Sequence, residues 1–262
     1  MQEQLEEKPI PRNVEDTWEE VYSTPIVNCE EDVVPLSLAP EQILVRSRYY
    51  EAGIAGALPE CHARRGAFKL LLKAATLLPD HLRLVVLDAW RSQQVQTILF
   101  QQCNEALTKV YPEADKDTLH VMTQQYVARP SLDPGAPSPH STGGAIDLII
   151  ATRDGLPLSF GSPFDDPNEI SCTRHFEEKL EQGIILTESE EDALKNRRLL
   201  YHIMTAAGFV NFPCEWWHFE YGTQRWAKNI GRDSAIYGAT TVCLNAFNLF
   251  EKSDQHTLGI NS

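Results

Sequence analysis

The sequence predicts an α+β fold, with a small and mainly antiparallel sheet flanked by helices. Two observations lead to this class. Segments with apolar residues at helical spacing come first, beginning with residues 64–78. Short apolar runs of strand length follow and are separated from one another along the chain. A chain of 262 residues can bury a substantial core, and one domain is enough to account for it.

The pattern of the first 40 residues predicts an extended arm, with room for one short helix. Five prolines interrupt this stretch, and its apolar residues show little periodicity. Acidic side chains crowd the first 32 positions, which we interpret as a solvated segment and not as a site. We therefore divide the chain into an arm (1–40), a main domain (41–222) and a C-terminal extension packed on that domain (223–262).

The predicted helices have recognisable ends. The segment 64–78 carries apolar side chains on one face and stops at Pro79. Ser92 can cap the next helix, and a further helix is predicted over residues 116–127. A last helix over 189–207 has Gly208 placed as its C-terminal cap.

The predicted strands lie among loops that deliver polar side chains. Residues 82–87 form a continuous apolar run typical of a buried strand. A proline-rich loop ends at His140, and a strand over 145–150 follows two glycines that permit a sharp turn or a close backbone approach. Two more strands, 209–212 and 215–221, are predicted around Pro213, and residues 160–186 are expected to be irregular with a short helix near Phe176.

Composition excludes several classes of function. The net charge of −14 disfavours nucleic acid as a partner. The six cysteines are scattered without a C-x-x-C pair, so we expect reduced thiols. No membrane span or signal sequence is visible, which predicts a cytoplasmic protein, or a periplasmic or secreted one if a signal peptide has been removed. Nothing in the sequence indicates the oligomeric state.

His140 and Asp147 form the first candidate cluster. An imidazole on a rigid loop, two glycines and a carboxylate on a strand can bring two zinc ligands together. The spacing alone is more often explained otherwise, with His140 as a surface histidine and Asp147 as a turn or capping residue.

Glu215 and His218 form the second candidate cluster. They lie among the aromatic residues Trp216, Trp217 and Phe219, where polar groups require a partner. A metal with its activated water would satisfy both. Because positions three apart on a regular strand face opposite sides, we expect the strand to begin, twist or bulge between them.

Arg91, at the end of a buried strand, is the third candidate. Near a metal site its guanidinium could bind a carboxylate or stabilise an oxyanion. The alternative is an arginine at a helix start, paired with Asp88.

Taken together, three segments resemble one family. DAWRSQQ (88–94), SPHSTGGAIDL (138–148) and EWWHFEYG (215–222), in this order, are similar to motifs of the D-alanyl-D-alanine dipeptidases, the VanX-like zinc peptidases of bacterial cell-wall metabolism. The resemblance runs from about residue 45 to residue 222. It implies a fold like that of D,D-peptidases and of the hedgehog amino-terminal domain.

The resemblance also implies the site and the reaction. One zinc ion per chain would be held by His140, Asp147 and His218, with Glu215 as the catalytic base. The implied substrate is a small D,D-dipeptide, hydrolysed at its peptide bond.

Three further residues match positions around the family's substrate. The resemblance places Arg91 near the scissile carbonyl and Ser138 beside the first zinc ligand, where it would contact the substrate's amino end. Tyr49 falls where the family has a pocket tyrosine.

Two other functions remain open at this point. D,D-carboxypeptidases acting on longer peptidoglycan peptides share the metal motifs, although the double tryptophan and the loops over 160–190 favour a small substrate. A non-catalytic zinc-bearing binding module is the second alternative. Such a module would lack the base or the arginine, whereas Glu215 and Arg91 are both present.

Overall fold

The structure is a computed structural model that describes residues 5–12 and 16–242. The helices of this part of the chain are α1 (Trp18–Tyr22), α2 (Arg48–Glu51), α3 (Arg65–Ala75), α4 (Gln93–Val110), α5 (Lys116–Tyr126), α6 (His175–Glu181), α7 (Glu188–Ala207) and α8 (Gln224–Asn229). Its strands are β1 (Val33–Pro35), β2 (Ile43–Val45), β3 (His62–Arg64), β4 (Leu82–Asp88), β5 (Ala145–Thr152), β6 (Val210–Asn211) and β7 (His218–Glu220). Short 3-10 helices span Leu5–Glu7, Pro139–Thr142 and Glu169–Ser171.

The main sheet has five strands in the order β2-β4-β5-β7-β6. The outer pair β2 and β4 is parallel, and the other three pairs of neighbours are antiparallel. The prediction of a mainly antiparallel sheet in an α+β fold is therefore confirmed. Strands β1 and β3 form a separate antiparallel ribbon.

The core and the polar site use opposite faces of the sheet. On β5, Ile146 and Leu148 point into the main apolar core, where they meet side chains of α3 and α7. Because side chains alternate along a strand, Asp147 points to the other face. On that face Val85, Leu87 and Ala151 form a smaller apolar cluster. Asp147 is thus placed on a rigid central strand outside the main core.

The helix and strand predictions agree with the structure apart from their ends. Ser92 caps α4, because its hydroxyl accepts a hydrogen bond from the Val95 N–H (3.3 Å). Gly208 follows α7 directly, with its backbone at φ 123. The short helix expected near Phe176 is α6.

The predicted strands 209–212 and 215–221 are both shorter in the structure. Pro213 has no N–H to donate to a ladder, and the chain turns there instead of continuing as a strand. The Glu215 N–H donates to the Phe212 carbonyl (3.1 Å), and the His218 N–H donates to the Glu215 carbonyl (3.3 Å). Strand β7 therefore begins at His218, which is the irregularity expected between Glu215 and His218.

The arm packs against the rest of the described chain. Ile10, Val21 and Leu36 are buried. The Ile10 N–H donates to the carboxylate of Glu177 (2.8 Å), which also receives two hydrogen bonds from Arg198 (2.8 Å each). The acidic positions do not prevent docking, because the apolar side chains between them make the contact. The domain boundary at residue 40 stays a prediction.

The C-terminal extension begins with α8, whose Trp226 and Ala227 are buried. Residues 243–262, including Cys243, lie outside the described residues. No disulfide joins the cysteines of the described chain. None of its helices combines the length and apolar character needed to span a membrane.

Candidate metal centre

The three predicted metal ligands come together at the centre of the sheet. Asp147 on β5 and His218 at the start of β7 are direct partners in the antiparallel register. His140 lies on the 3-10 helix Pro139–Thr142, just ahead of β5. All three side chains are buried.

Gly143 and Gly144 allow His140 and Asp147 to approach from one short segment. Gly143 lies in the left-handed region, with φ 72. At Gly144 a Cβ atom would stand 2.4 Å from the carbonyl oxygen of Tyr221, so only glycine fits. The same residues are hydrogen-bonded, because the Tyr221 N–H donates to the Gly144 carbonyl (2.9 Å). The glycine pair therefore fixes the start of β5 against the end of β7.

The separations between the ligand atoms fit a tetrahedral metal. His140 Nε2 lies 3.2 Å from His218 Nδ1 and 3.3 Å from Asp147 Oδ2, and His218 Nδ1 lies 3.0 Å from Asp147 Oδ1. Two ligands of a tetrahedral zinc ion stand roughly 3.3 Å apart, given zinc–ligand bonds of about 2.0–2.2 Å. Three donors at these separations, with the chemistry of two imidazoles and a carboxylate, could hold one zinc ion.

Hydrogen bonds at the far side of each imidazole select the nitrogen that faces the cluster. His140 Nδ1 donates to the carbonyl of Ala89 (2.7 Å), which leaves the lone pair of Nε2 for a metal. In the neutral form of His218, Nε2 donates to Glu220 (3.1 Å), which leaves the lone pair of Nδ1 for a metal. Glu220 is itself held by Arg225 (3.1 Å). Both histidines are thus oriented as metal ligands require.

The charges of the cluster shift its pKa values. Burial alone would lower the pKa of His218, but hydrogen bonds to Asp147 and Glu220 outweigh it and raise the pKa to about 10. Burial alone would raise the pKa of Asp147, but His140 and His218 outweigh it and lower the pKa. Burial alone would also raise the pKa of Glu220, but the hydrogen bond from His218 and the charge of Arg225 outweigh it and lower the pKa to about 2. These side chains form a cluster of interacting charges. A bound cation would offset the negative charge of its carboxylates.

Glu215 borders the three ligands. Its Oε2 lies 3.6 Å from His218 Nδ1, and 19% of its side-chain surface is exposed. Burial raises the pKa of Glu215 to about 8, and the opposing attraction of His218 does not offset it. A carboxylate with a raised pKa beside a metal site is suited to accept and return a proton.

Arg91 is paired with Asp88 and also faces the cluster. Its Nε donates to Asp88 (2.9 Å), Nη1 to Gln96 (3.0 Å) and Nη2 to the hydroxyl of Tyr49 (3.2 Å). The same Nη2 lies 3.5 Å from Asp147. The two explanations weighed for Arg91 are therefore compatible, since the pairing with Asp88 holds the guanidinium beside the candidate metal ligands.

Tyr49 contacts Arg91 at the edge of the cluster, and Ser138 precedes the 3-10 helix that carries His140. The Tyr49 hydroxyl donates to Asp165 (2.8 Å), and its ring lies 4.7 Å from the Arg91 guanidinium. Ser138 is 1% exposed, and its hydroxyl is one of three buried side-chain atoms in the described chain that have no hydrogen-bond partner. An unsatisfied buried hydroxyl beside His140 is available to a ligand.

Three carboxylates of the site were not among the predicted residues. Asp88 lies 3.2 Å from His140 Nδ1, Glu220 receives the His218 hydrogen bond, and Asp165 receives that of Tyr49. Glu220 could have been found from the sequence, because two residues apart on a strand share a face. Asp165 could not, since its position depends on a long loop and on a backbone in the left-handed region (φ 61).

Comparison with known families decides the assignment. A family model described as D-ala-D-ala dipeptidase matches residues 60–234, which is more than half of the chain. The chain belongs to this family. It is therefore a metallopeptidase of a zinc-dependent family, and the resemblance identified from the three motifs is confirmed.

Relatives within the family are moderately similar to the chain. The D-alanyl-D-alanine dipeptidase of Synechocystis sp. is 29% identical over 215 residues, which cover 78% of this chain and 87% of the relative. The D-alanyl-D-alanine dipeptidase of Escherichia coli is 33% identical over 161 residues, which cover 61% of this chain and 66% of the relative. Among solved structures, the D,D-pentapeptidase VanY of a VanB-type vancomycin resistance cassette is 16% identical, with 82% of this chain and 96% of that chain covered and a TM-score of 0.40.

Proposed function

We propose that the chain hydrolyses the dipeptide D-alanyl-D-alanine with one zinc ion held by His140, Asp147 and His218. The observation that carries the proposal is the convergence of three ligand atoms at separations of 3.0–3.3 Å, with the Glu215 carboxylate beside them. The names of the relatives support the choice of substrate.

Glu215 would act as base and then as acid. A zinc ion held by His140, Asp147 and His218 would polarise the scissile carbonyl and favour ionisation of the attacking water. The Glu215 carboxylate takes the proton of the attacking water and returns it to the nitrogen of the leaving amino acid. A proton transfer of this kind supplies about 10²–10⁴-fold in rate.

Arg91, Asp165 and Ser138 would bind the charged and polar parts of the substrate. The Arg91 guanidinium is held in place by Asp88 and would stabilise the negative charge that develops on the carbonyl oxygen. The Asp165 carboxylate, on the other side of Tyr49, suits the ammonium group of a dipeptide. The Ser138 hydroxyl supplies a further hydrogen bond near His140.

Enclosure of the site supports a small substrate. The three ligands are buried, and the Phe164 ring packs against Tyr49 (6.0 Å between centroids) and Trp217 (5.4 Å). A site of this kind accommodates two residues more readily than the end of a long peptide. This favours the dipeptidase over the carboxypeptidase alternative.

The test combines metal loading with a panel of substrates. Full-length protein stripped of metal is titrated with zinc and supplied with the four stereoisomers of alanyl-alanine and with a muramyl pentapeptide ending in D-Ala-D-Ala. We expect turnover of the D,D-dipeptide in proportion to bound zinc, up to one ion per chain. Faster cleavage of the pentapeptide than of the dipeptide would contradict the proposed dipeptidase activity and support the carboxypeptidase alternative.

A Glu215→Gln variant tests the role of the base. It should bind zinc as the parent does, while turnover falls by at least about 100-fold. Glu113→Gln, an exposed glutamate far from the cluster in sequence, is the matched control. Normal turnover by Glu215→Gln would exclude the proposed mechanism.

A further inference from the structure

Cys172 and Cys214, the thiol pair, meet at the turn that carries Glu215. Cys172 directly follows the 3-10 helix Glu169–Ser171, and Cys214 directly precedes Glu215. The two thiols are hydrogen-bonded to each other. Cys172 is half-buried and Cys214 is exposed, so a dissolved reagent can reach them. The proposed hydrolysis uses neither thiol.

Two backbone hydrogen bonds hold the segments of the thiol pair against each other. The Thr173 N–H donates to the Pro213 carbonyl (2.8 Å), and the Trp216 N–H donates to the Ser171 carbonyl (3.0 Å). These two bonds bracket Cys172 on one segment and Cys214 and Glu215 on the other. A disulfide needs Cα atoms about 4.4–6.8 Å apart, and two cysteines on bracketed segments with hydrogen-bonded thiols suit one.

We propose that Cys172 and Cys214 are a reversible disulfide site, which closes by exchange with a low-molecular-weight disulfide and braces the turn that bears Glu215. The bridge would join two segments that backbone hydrogen bonds already hold together. The bridge would link the loop before α6 to the residue next to the catalytic base.

The exchange balances with glutathione disulfide as the oxidant. The Cys172 thiolate attacks one sulfur of the reagent, which forms a mixed disulfide and releases one glutathione thiolate. The Cys214 thiolate then attacks the Cys172 sulfur, forms the protein disulfide and releases the second glutathione thiolate. Each cysteine gives up one proton, and each glutathione thiolate can take one. The hydrogen bond from Cys214 lowers the pKa of Cys172, which favours the first attack.

The experiment equilibrates the full-length protein with glutathione disulfide and then maps its peptides without reduction. We expect one linked peptide, joining Cys172 to Cys214, and a loss of two thiols from the six in the chain. Because the bridge closes a long loop of the unfolded chain, the Tm of the oxidised protein should rise by about 5 °C or more. Dithiothreitol should reverse both changes.

Single substitutions provide the controls. Cys172→Ser and Cys214→Ser should each abolish the linked peptide and the rise in Tm, whereas Cys103→Ser, at a half-buried cysteine of α4, should preserve both. Three outcomes would overturn the proposal: absence of the linked peptide at equilibrium, glutathione retained on Cys214 as a mixed disulfide, or a Tm that does not rise. Thiol counts and peptide maps do not depend on hydrolysis, so failure here is distinguishable from failure of the proposed function.

Discussion

The pKa of Glu215 is set by the surroundings of its side chain. Glu215 has a pKa of about 8 in the protein without metal, because burial disfavours its ionised form. A cation bound beside it favours the ionised form and lowers that pKa. Burial and a bound cation would therefore shift the pKa of Glu215 in opposite directions, as the proposed base requires near neutral pH.

This balance predicts the direction of the pH dependence. A general base acts when it is deprotonated, so kcat/KM should rise with pH along an acidic limb whose midpoint lies below 8. A pH–rate profile of the zinc-loaded protein measures the midpoint. Glu215→Gln should remove that limb from its residual activity. Persistence of the same limb in the variant would assign it to another group.

Glu220 is predicted to position His218 rather than to react. Its carboxylate accepts the His218 Nε2–H and is paired with the buried Arg225. Glu220→Gln removes the charge while it keeps an acceptor, so we expect zinc affinity to fall by about 10- to 100-fold. Competition with a chelating dye measures the affinity. Glu113→Gln should leave it unchanged, and an unchanged affinity in Glu220→Gln would mean that the charge does not matter.

At the scale of elements, the start of β5 is the feature on which the site depends. Gly144 brings β5 within hydrogen-bonding distance of Tyr221, and this places His140 and Asp147 on either side of the turn. The sequence could predict a close approach at the glycine pair. It could not identify the approaching strand, because that contact joins residues far apart in the chain.

Gly144→Ala should therefore destabilise the fold. The added Cβ would stand 2.4 Å from a backbone oxygen that cannot rotate away, and such overpacking costs about 1–3 kcal/mol or more. Urea unfolding measures the loss. Gly135→Ala is the control, since its Cβ would meet only the side chain of Asp133 at 3.3 Å. Equal stabilities of the two variants would contradict this account of the turn.

Other elements differ in how far the sequence determines them. The bounds of α5 and β4 follow from local apolar spacing and are close to the predicted ones. The strands around Pro213 are shorter than predicted, because the turn at Glu215 is held by contacts with the loop before α6, which no local pattern encodes. The three residues that could hold a metal were identified from motifs, whereas the place of Asp165 beside Tyr49 required the tertiary structure.

At the scale of the whole molecule, zinc should act as a ligand of the folded state alone. A free zinc concentration of 100 times the Kd adds about 2.7 kcal/mol to the free energy of unfolding. For a chain of this size that corresponds to a rise in Tm of roughly 5–10 °C. Thermal unfolding with and without zinc measures it. His218→Ala, which removes one ligand, should show no zinc-dependent rise, and a full rise in that variant would place the ion elsewhere.

The order in which the chain folds and takes up its ion follows from where the ligands lie along it. His140 and His218 are 78 positions apart, and Asp147 and His218 are 71 apart, so an unfolded chain offers no local set of three donors. Zinc binding cannot nucleate the folding of this chain. Strand β7 must pair with β5 before His218 comes close to the other two ligands. Metal uptake should therefore be a late event, in which zinc enters a site that the paired strands have already assembled.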